Sequence, residues 1–202
     1  MRKPTWVIFD IGGVIFNSDT AFKDIADYLK VDREHITEKI IEYLGEDELG
    51  KTTFEDVWKN LLKPFNKQHE YKKVIEIWWD VKRWMADTKL LIYELNKAGY
   101  KIAILTNNWK GMGERILKDT KEFLVMNTMF QSSVEGLRKP DLQFYKLVEK
   151  RIGASGESIY FIDDSIKNIE AAKKMKWQTS LYLIGNGDGK SANNLIRKEL
   201  LF

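Results

Sequence analysis

The sequence contains no cysteine and only two histidines among its 202 residues. Without cysteine there can be no disulfide bond, thiolate metal site or cysteine nucleophile. The two histidines, His35 and His69, lie far apart in the sequence, so a multi-histidine zinc site is excluded and a histidine-dependent triad is not expected. A metal site in this chain is therefore expected to use oxygen ligands.

Long apolar runs and a strong charge imbalance are also missing. No run reaches the ~18 apolar residues that a membrane helix needs. Lys and Arg number 33 against 30 Asp and Glu, with no long basic run, so nucleic-acid binding has no positive support. Basic residues precede an apolar run at the N-terminus, but Asp10 interrupts it and no small-residue cleavage site follows. We expect a cytoplasmic protein without a membrane or nucleic-acid partner.

Three short apolar runs predict strands of a parallel sheet. They lie at residues 5–9 (TWVIF), 101–105 (KIAIL) and 158–162 (SIYFI). Each is rich in β-branched or aromatic residues and does not alternate with polar ones, as expected for strands covered on both faces. Weaker strand candidates lie at residues 130–134 and 179–184.

Helical patterns fill the gaps between the strands. After residue 86 they cover residues 88–98, 141–152, 165–175 and 192–200. Because strands alternate with helices there, we predict a doubly wound, Rossmann-like α/β core. Before it, the helical patterns cover residues 21–29, 36–44, 54–62 and 71–85. This stretch is far longer than a crossover helix, so we predict an all-helical domain, residues 19–85, inserted into a core of residues 1–18 and 86–202.

Polar residues follow the three strongest strand predictions. Asp10 follows the first, the hydroxyl and amide groups of residues 106–108 (Thr106, Asn107 and Asn108) follow the second, and Asp163 and Asp164 follow the third. Ligands of an open parallel sheet bind beyond the carboxyl ends of the strands, where the strand order reverses. Three carboxylates in one cleft repel one another unless a cation is present. An all-oxygen ligand set favours Mg²⁺.

Two further features complete a predicted phosphate site. Gly12 and Gly13 follow Asp10 and allow a sharp turn that exposes backbone N–H groups to an anion. Lys139, directly before Pro140, can place a positive charge beside the same cleft. With Mg²⁺ shielding the anion, a carboxylate can attack phosphorus, and water can then release phosphate from the aspartyl-phosphate.

These segments resemble, in the same order, the four motifs of the haloacid-dehalogenase-like hydrolase superfamily. They are residues 7–14 (VIFDIGGV), 104–107 (ILTN), 137–141 (LRKPD) and 161–165 (FIDDS). The resemblance covers about residues 5–184 and places the helical insert at the position of the family's C1-type cap. It implies a hydrolase with a Rossmann-like core and a helical cap.

The resemblance implies a Mg²⁺ site. Asp10 would be both the nucleophile and a metal ligand, and the carbonyl oxygen of Gly12 would be another ligand. Asp163 and Asp164 would hold the ion directly or through water. Asn168, which follows the fourth motif, would orient the loop.

The resemblance also implies a phosphate site. Thr106 would bind the phosphoryl oxygens through its hydroxyl, and Asn107 through its backbone N–H. Lys139 would offset the negative charge of the nucleophile and the phosphate. The partner would be a small phosphorylated metabolite.

One position departs from the family's pattern. Phosphatases of the family usually carry a second Asp two residues after the nucleophile, which protonates the leaving group, whereas this chain has Gly12. A general acid–base group contributes about 10²–10⁴ in rate. Another acid could replace it, with Asp19 nearest in sequence. Alternatively, activity could be limited to easy leaving groups, or the protein could bind without efficient turnover.

We therefore predict a Mg²⁺-dependent phosphatase for a small phosphorylated metabolite, such as a sugar phosphate. A haloacid dehalogenase that cleaves a carbon–halogen bond is the first alternative, although the pair Asp163 and Asp164 suits a metal and favours phosphate. A binding or regulatory protein that has lost turnover is the second. The sequence leaves the substrate and the oligomeric state open.

Tryptophans are concentrated in the predicted insert. It contains Trp58, Trp78, Trp79 and Trp84, and Trp109 follows the second motif. Such side chains either pack the core of a small helical domain or contact a substrate ring or alkyl group. Both interpretations remain open from the sequence.

Overall fold

The computed structural model describes residues 3–34, 36, 38, 49–121, 126–184 and 188–202. Five strands form one parallel sheet: β1 (Trp6–Phe9), β2 (Lys101–Thr106), β3 (Thr128–Gln131), β4 (Ile159–Asp163) and β5 (Gln178–Leu181). The strand order is β3-β2-β1-β4-β5. β1 is central, with β2 and β4 on its two sides, so the strand order reverses beside it.

Helices connect the strands and flank the sheet. Those in the described residues are α1 (Ser18–Leu29), α2 (Phe54–Leu62), α3 (Tyr71–Trp78), α4 (Ala86–Lys97), α5 (Met112–Thr120), α6 (Ser132–Glu135), α7 (Leu142–Ile152), α8 (Ile166–Lys174) and α9 (Lys190–Leu200). Short 3₁₀ turns lie at Lys63–Phe65, Gln68–Glu70, Val81–Arg83 and Gly156–Ser158. None of the described helices is long and apolar enough to cross a membrane. The predicted doubly wound α/β fold is confirmed.

Several predicted elements differ from the structure. The strand predicted over residues 130–134 is wrong beyond Gln131, where the chain leaves the sheet and starts α6. The helix predicted over residues 71–85 is wrong after Trp78, because a 3₁₀ turn and an extended stretch follow. Helix α5 was not predicted. The helix predicted over residues 36–44 lies almost entirely outside the described residues.

The chain leaves β1 and returns to α4 along two adjacent extended stretches. The N–H of Asn17 donates to the carbonyl of Arg83, and the N–H of Met85 donates to the carbonyl of Ile15, both at 2.9 Å. The guanidinium of Arg83 is buried and donates to Asp24 at 2.7 Å and to Thr20 at 2.9 Å. We call residues 18–83, which lie between β1 and α4, the helical segment. Arg83 lies at its C-terminal end and therefore ties this end to α1 at its start.

Side chains of the strands alternate between two apolar layers, because successive residues point to opposite faces. Val7 and Phe9 of β1 pack with the helical segment, α4 and α9. Trp6 and Ile8 pack with α7 and α8 on the opposite face. With apolar layers on both faces, ligands reach the sheet at the carboxyl ends of its strands.

Candidate active site

Acidic side chains from two neighbouring strand ends meet at the central strand. Asp10 follows β1, and Asp163 and Asp164 lie at the end of β4, which pairs with β1 in register Phe9↔Ile162. One carboxylate oxygen of each of the three residues lies within 4.8 Å of the others. The strand order therefore brings together groups that are about 150 residues apart in the sequence.

A buried lysine lies between two of these carboxylates. Lys139 is 1 % exposed, and its Nζ lies 2.9 Å from Oδ1 of Asp10 and 2.7 Å from Oδ2 of Asp163. Asn107 holds the lysine from the end of β2. Its Oδ1 accepts from the N–H of Lys139 at 2.9 Å, and its Nδ2 donates to the carbonyl of Lys139 at 3.0 Å.

This side-chain role of Asn107 was missed by sequence reasoning, which used only its backbone N–H. Nothing in the sequence pairs Asn107 with a backbone 32 residues away. Asn108, which the sequence places at the same strand end without assigning it a role, is 2 % exposed. Its N–H donates to Ser132 Oγ at 2.9 Å, and its side chain bonds Gln131 and Ser133. These bonds fix the loop after β2.

Asp163 is fully buried and fixed by hydrogen bonds. Its Oδ1 accepts from the N–H of Ser165 at 2.8 Å. The side-chain amide of Asn168 donates to both of its oxygens, at 3.0 and 3.1 Å. Tyr145 in turn donates to the carbonyl of Asn168 at 3.0 Å. Asn168 therefore lies where it can orient the β4 loop, whereas Asp164 is exposed at its rim.

Three carboxyl groups share one ammonium, and their titration reflects the excess negative charge. Burial raises the pKa of Asp10 to about 7, with Lys139 opposing and the other two carboxyl groups assisting. Desolvation and Asp163 raise the pKa of Asp164 to about 6. Burial lowers the pKa of Lys139, but Asp10 and Asp163 outweigh it, so the net pKa is raised. Such an oxygen-rich, negative site fits a hard divalent cation.

The two glycines after Asp10 differ in their surroundings. Gly13 has φ +69°, a conformation that favours glycine, and a Cβ there would lie 2.1 Å from Oδ2 of Asp164, so that side chain would have to move. A Cβ on Gly12 would meet no atom within 4 Å. The position of the family's usual acid is therefore open space. Asp19 is exposed and lines a cavity of about 300 Å³ together with Gly13 and Asp164.

Thr106 is 3 % exposed at the end of β2, beside β1. Its hydroxyl lies 3.4 Å from the carbonyl of Asn107. The structure thus places every predicted site residue at the carboxyl edge of the sheet or in the loops beside it, with Asp19 at the rim.

Aromatic rings fill the contact between this edge and the helical segment. We define the aromatic cluster as Phe16, Phe54, Trp58, Trp78, Trp79, Trp84 and Trp109; ring centroids of neighbouring members lie 4.9–6.4 Å apart. The N–H of Phe54 donates to the carbonyl of Lys110 at 3.0 Å. The cluster therefore connects the helical segment to the loops after β1 and β2.

A family model of haloacid dehalogenase-like hydrolases matches residues 4–176. The chain belongs to this family, as the four motifs indicated.

Of two curated relatives, one matches less than half of the chain, and the other matches most of it at lower identity. The sesquiterpene phosphatase astK of Aspergillus oryzae is 34% identical over 83 residues, which are 41% of this chain and 42% of that protein. The drimenol cyclase drtB of Aspergillus calidoustus is 26% identical over 183 residues, which are 87% of this chain and 33% of that protein. The chain thus spans less than half the length of either relative.

Solved structures share the fold at low identity. A HAD family enzyme, bt-2542 of Bacteroides thetaiotaomicron, crystallised with magnesium and inorganic phosphate, has a TM-score of 0.68 and 18% identity. The match covers 90% of this chain and 96% of that one. A dehalogenase has a TM-score of 0.72 and 20% identity, covering 89% and 84%. At 18% and 20% identity these structures show a shared fold, and the fold alone does not fix the reaction.

Proposed function

We propose that the chain is a Mg²⁺-dependent phosphatase that hydrolyses a small phosphorylated metabolite through an aspartyl-phosphate on Asp10. The observation that carries the proposal is the buried carboxylate of Asp10, with the Lys139 ammonium at 2.9 Å and two more carboxylates within 4.8 Å. A dehalogenase attacks carbon and has no use for a divalent-metal site. The phosphatase named among the relatives supports the same choice.

The residues at the strand ends suit Mg²⁺. Asp10, Asp163, Asp164 and the carbonyl oxygen of Gly12 would hold it, all of them oxygen ligands that the ion prefers. When bound, the ion neutralises the carboxylates and the phosphoryl group, so that an anionic nucleophile can approach an anionic substrate. The bt-2542 structure with magnesium and phosphate supports this choice of metal.

The chain's own residues would carry the rest of the reaction. A carboxylate oxygen of Asp10 bonds to phosphorus while the ester P–O bond breaks, and the leaving group departs as an alkoxide with the electron pair of that bond. Lys139 keeps Asp10 in place and offsets the charge, while Thr106 and the N–H of Asn107 bind phosphoryl oxygens. Water then attacks the acyl phosphate, which releases inorganic phosphate and restores Asp10.

Gly12 has no group that could protonate the leaving alcohol. The alkoxide would take its proton from water at the open position above Gly12, where an added methyl carbon would meet no atom within 4 Å. The reaction would therefore be slower for poor leaving groups than in relatives with an acid at this position.

We also propose that residues 19–85 act as a cap over a core of residues 1–18 and 86–202. The contact of Phe54 with the loop after β2 supports a position over the strand ends. An enclosed site favours a small substrate over a phosphoprotein, and the cap would have to open to admit it.

Phosphate release from p-nitrophenyl phosphate, with and without Mg²⁺, tests this function. We expect Mg²⁺-dependent release that Asp10→Asn abolishes, whereas Asp27→Asn, an exposed aspartate on α1 paired with Lys23, leaves it unchanged. Halide release from a 2-haloacid without metal would instead identify a dehalogenase. Phosphate-ester binding without turnover would identify a binding protein.

A further inference from the structure

We propose that the substrates are phosphate monoesters of hydrocarbon alcohols and that the aromatic cluster binds the hydrocarbon part. This inference rests on the proposed phosphatase function and names its substrate class. It is carried by the place of the cluster, its chemistry and its unpaired polar groups.

The cluster begins at the loops that carry the reacting groups. The backbone of Phe16 pairs with Gly12, and the N–H of Gly13 donates to the carbonyl of Phe16 at 2.9 Å. Trp109 lies two residues after Asn107, whose side chain holds Lys139. A Cβ on Gly12 would meet no atom within 4 Å, and we place the leaving group in this open space, with its hydrocarbon part directed toward the rings that follow in the same loops.

The rings come from both sides of one contact. Phe16 and Trp109 belong to loops of the sheet, and they meet Trp78 and Phe54 of the helical segment at centroid distances of 5.7 and 5.9 Å. A hydrocarbon chain that enters between the two sides replaces ring–ring contacts by ring–alkyl contacts. The rings are at most 7 % exposed, so the two sides have to separate to admit the chain, whose alkyl groups then keep the apolar surface out of water.

The indole N–H groups of the cluster bear on which substrates it can bind. The indole N–H groups of Trp58, Trp78 and Trp109 are buried without a hydrogen-bond partner among the described residues. Buried N–H groups are nearly always paired in proteins, and an unpaired one suggests a missing water or ligand. An oxygen of a phosphate ester is an acceptor that fits such a donor. The hydroxyls of a sugar also need acceptors, and the aromatic rings supply none.

A tryptophan on the other face of the sheet shows the usual arrangement. Trp177 is also buried, and its Nε1 donates to Glu149 at 2.9 Å. The fold therefore pairs a buried indole where the site is a closed core. The three indoles of the cluster differ in lying where the helical segment meets the catalytic edge.

The first test compares two substrates with similar leaving groups. n-Octyl phosphate and glucose 6-phosphate are both esters of primary alcohols, so a difference in kcat/KM reports recognition of the alcohol. We expect at least a tenfold preference for octyl phosphate and a rise in kcat/KM from butyl to octyl phosphate. Equal or higher kcat/KM for glucose 6-phosphate would overturn the inference.

Binding separates this inference from the proposed function. Titration of Asp10→Asn with octyl phosphate or glucose 6-phosphate, followed by tryptophan fluorescence, needs no turnover. One outcome is that p-nitrophenyl phosphate stays unhydrolysed while octyl phosphate still binds at least tenfold tighter than glucose 6-phosphate. The phosphatase function then fails, and the assignment of the aromatic cluster as a hydrocarbon-binding site stands. If p-nitrophenyl phosphate is hydrolysed and octyl phosphate is not preferred, the phosphatase function stands and the assignment of the aromatic cluster fails.

A pair of variants locates the surface. Trp109→Ala should lower the octyl-to-glucose preference at least threefold, whereas Trp177→Phe, a substitution in the opposite apolar layer, should leave the ratio unchanged. An unchanged ratio in a folded Trp109→Ala protein would contradict the assignment. Should that variant fail to fold, the chain-length series on the unsubstituted protein decides.

Discussion

We call the hydrogen-bonded side chains around Lys139 and Asp163 the strand-end network. This network lies next to the aromatic cluster, but the two differ in whether their buried polar groups are hydrogen-bonded. In the network, Lys139, Asp163, Asn107 and Asn168 are all hydrogen-bonded to protein partners. In the cluster, indole N–H groups such as that of Trp109 have no partner among the described residues. Fully paired polar groups hold one geometry, whereas apolar contacts with unpaired donors can be exchanged for a ligand. Under the two proposals above, the chemistry would lie on a fixed frame, and recognition would lie in a buried aromatic cluster whose contacts can be exchanged.

Lys139 gives the largest expected effect. Lys139→Met removes a buried ammonium and leaves the carboxylates of Asp10 and Asp163 without their cation. We expect a loss of about 3–5 kcal/mol in the free energy of unfolding, measured in urea without metal. Phosphatase activity should fall by about 10²–10³-fold, since the group also stabilises charge at the reacting atoms.

An exposed lysine provides the control for this substitution. Lys23 is 61% exposed and pairs with Asp27 on the surface of α1, so Lys23→Met should change neither the unfolding curve nor the activity measurably. If Lys139→Met were equally harmless, the strand-end network would not be the fixed frame described above.

The neighbouring glycines give the next largest effect. Gly13→Ala forces a Cβ against Asp164 at a left-handed φ, which costs about 1–2 kcal/mol from the backbone alone and displaces a proposed metal ligand. Gly12→Ala meets open space and should stay within about 0.5 kcal/mol of the unsubstituted protein. Calorimetric melting and Mg²⁺ titration of the two variants measure both effects.

Gly12→Asp extends the comparison of Gly12 and Gly13 to activity. It restores an acid at the open position, so hydrolysis of alkyl phosphates should rise by about 10²-fold at unchanged metal affinity. No gain with alkyl phosphates, in a variant that still binds Mg²⁺, would show that the leaving group is already protonated by another residue.

The positions of the strand ends could be predicted from sequence, but the partners of the buried polar groups could not. Apolar runs that end at Asp10 and Asp163 indicate parallel strands and therefore a shared edge. The side-chain bonds from Asn107 to the backbone of Lys139 depend on how two loops approach in space, and no spacing encodes that. The break after α3 was missed for a similar reason, because tertiary pairing with residues 15–17 overrides a helical pattern.

The side chain of Asn107 has a smaller expected effect than Lys139, because it acts through the lysine and its removal keeps the backbone N–H. Asn107→Ala removes both bonds to the Lys139 backbone, so the Nζ is less well placed at Asp10. We expect kcat to fall at least about tenfold with little change in KM, together with a loss of about 1–3 kcal/mol in the free energy of unfolding.

Asn127 separates positioning from stability. Its Oδ1 accepts from the N–H of Ile102 at 2.8 Å, at the opposite end of β2. Asn127→Ala should therefore destabilise the protein to a similar degree while kcat stays the same. A matching fall of kcat in both variants would mean that Asn107 matters only for folding.

Tryptophan substitutions give the smallest difference and bear directly on the aromatic cluster. Trp177→Phe and Trp109→Phe remove similar apolar area, but among the residues that the structure describes only the indole of Trp177 has a bond to lose, to the carboxylate of Glu149. Because a hydrogen bond to a charged acceptor contributes about 1.5–3 kcal/mol, Trp177→Phe should destabilise the protein by roughly that much more in urea unfolding. If Trp109→Phe is as costly, its indole N–H has a partner, and the cluster is a closed core like the opposite face. If Trp109→Phe lowers the free energy of unfolding less than Trp177→Phe does, the indole N–H of Trp109 contributes little to folding. This is expected of a group that binds a ligand.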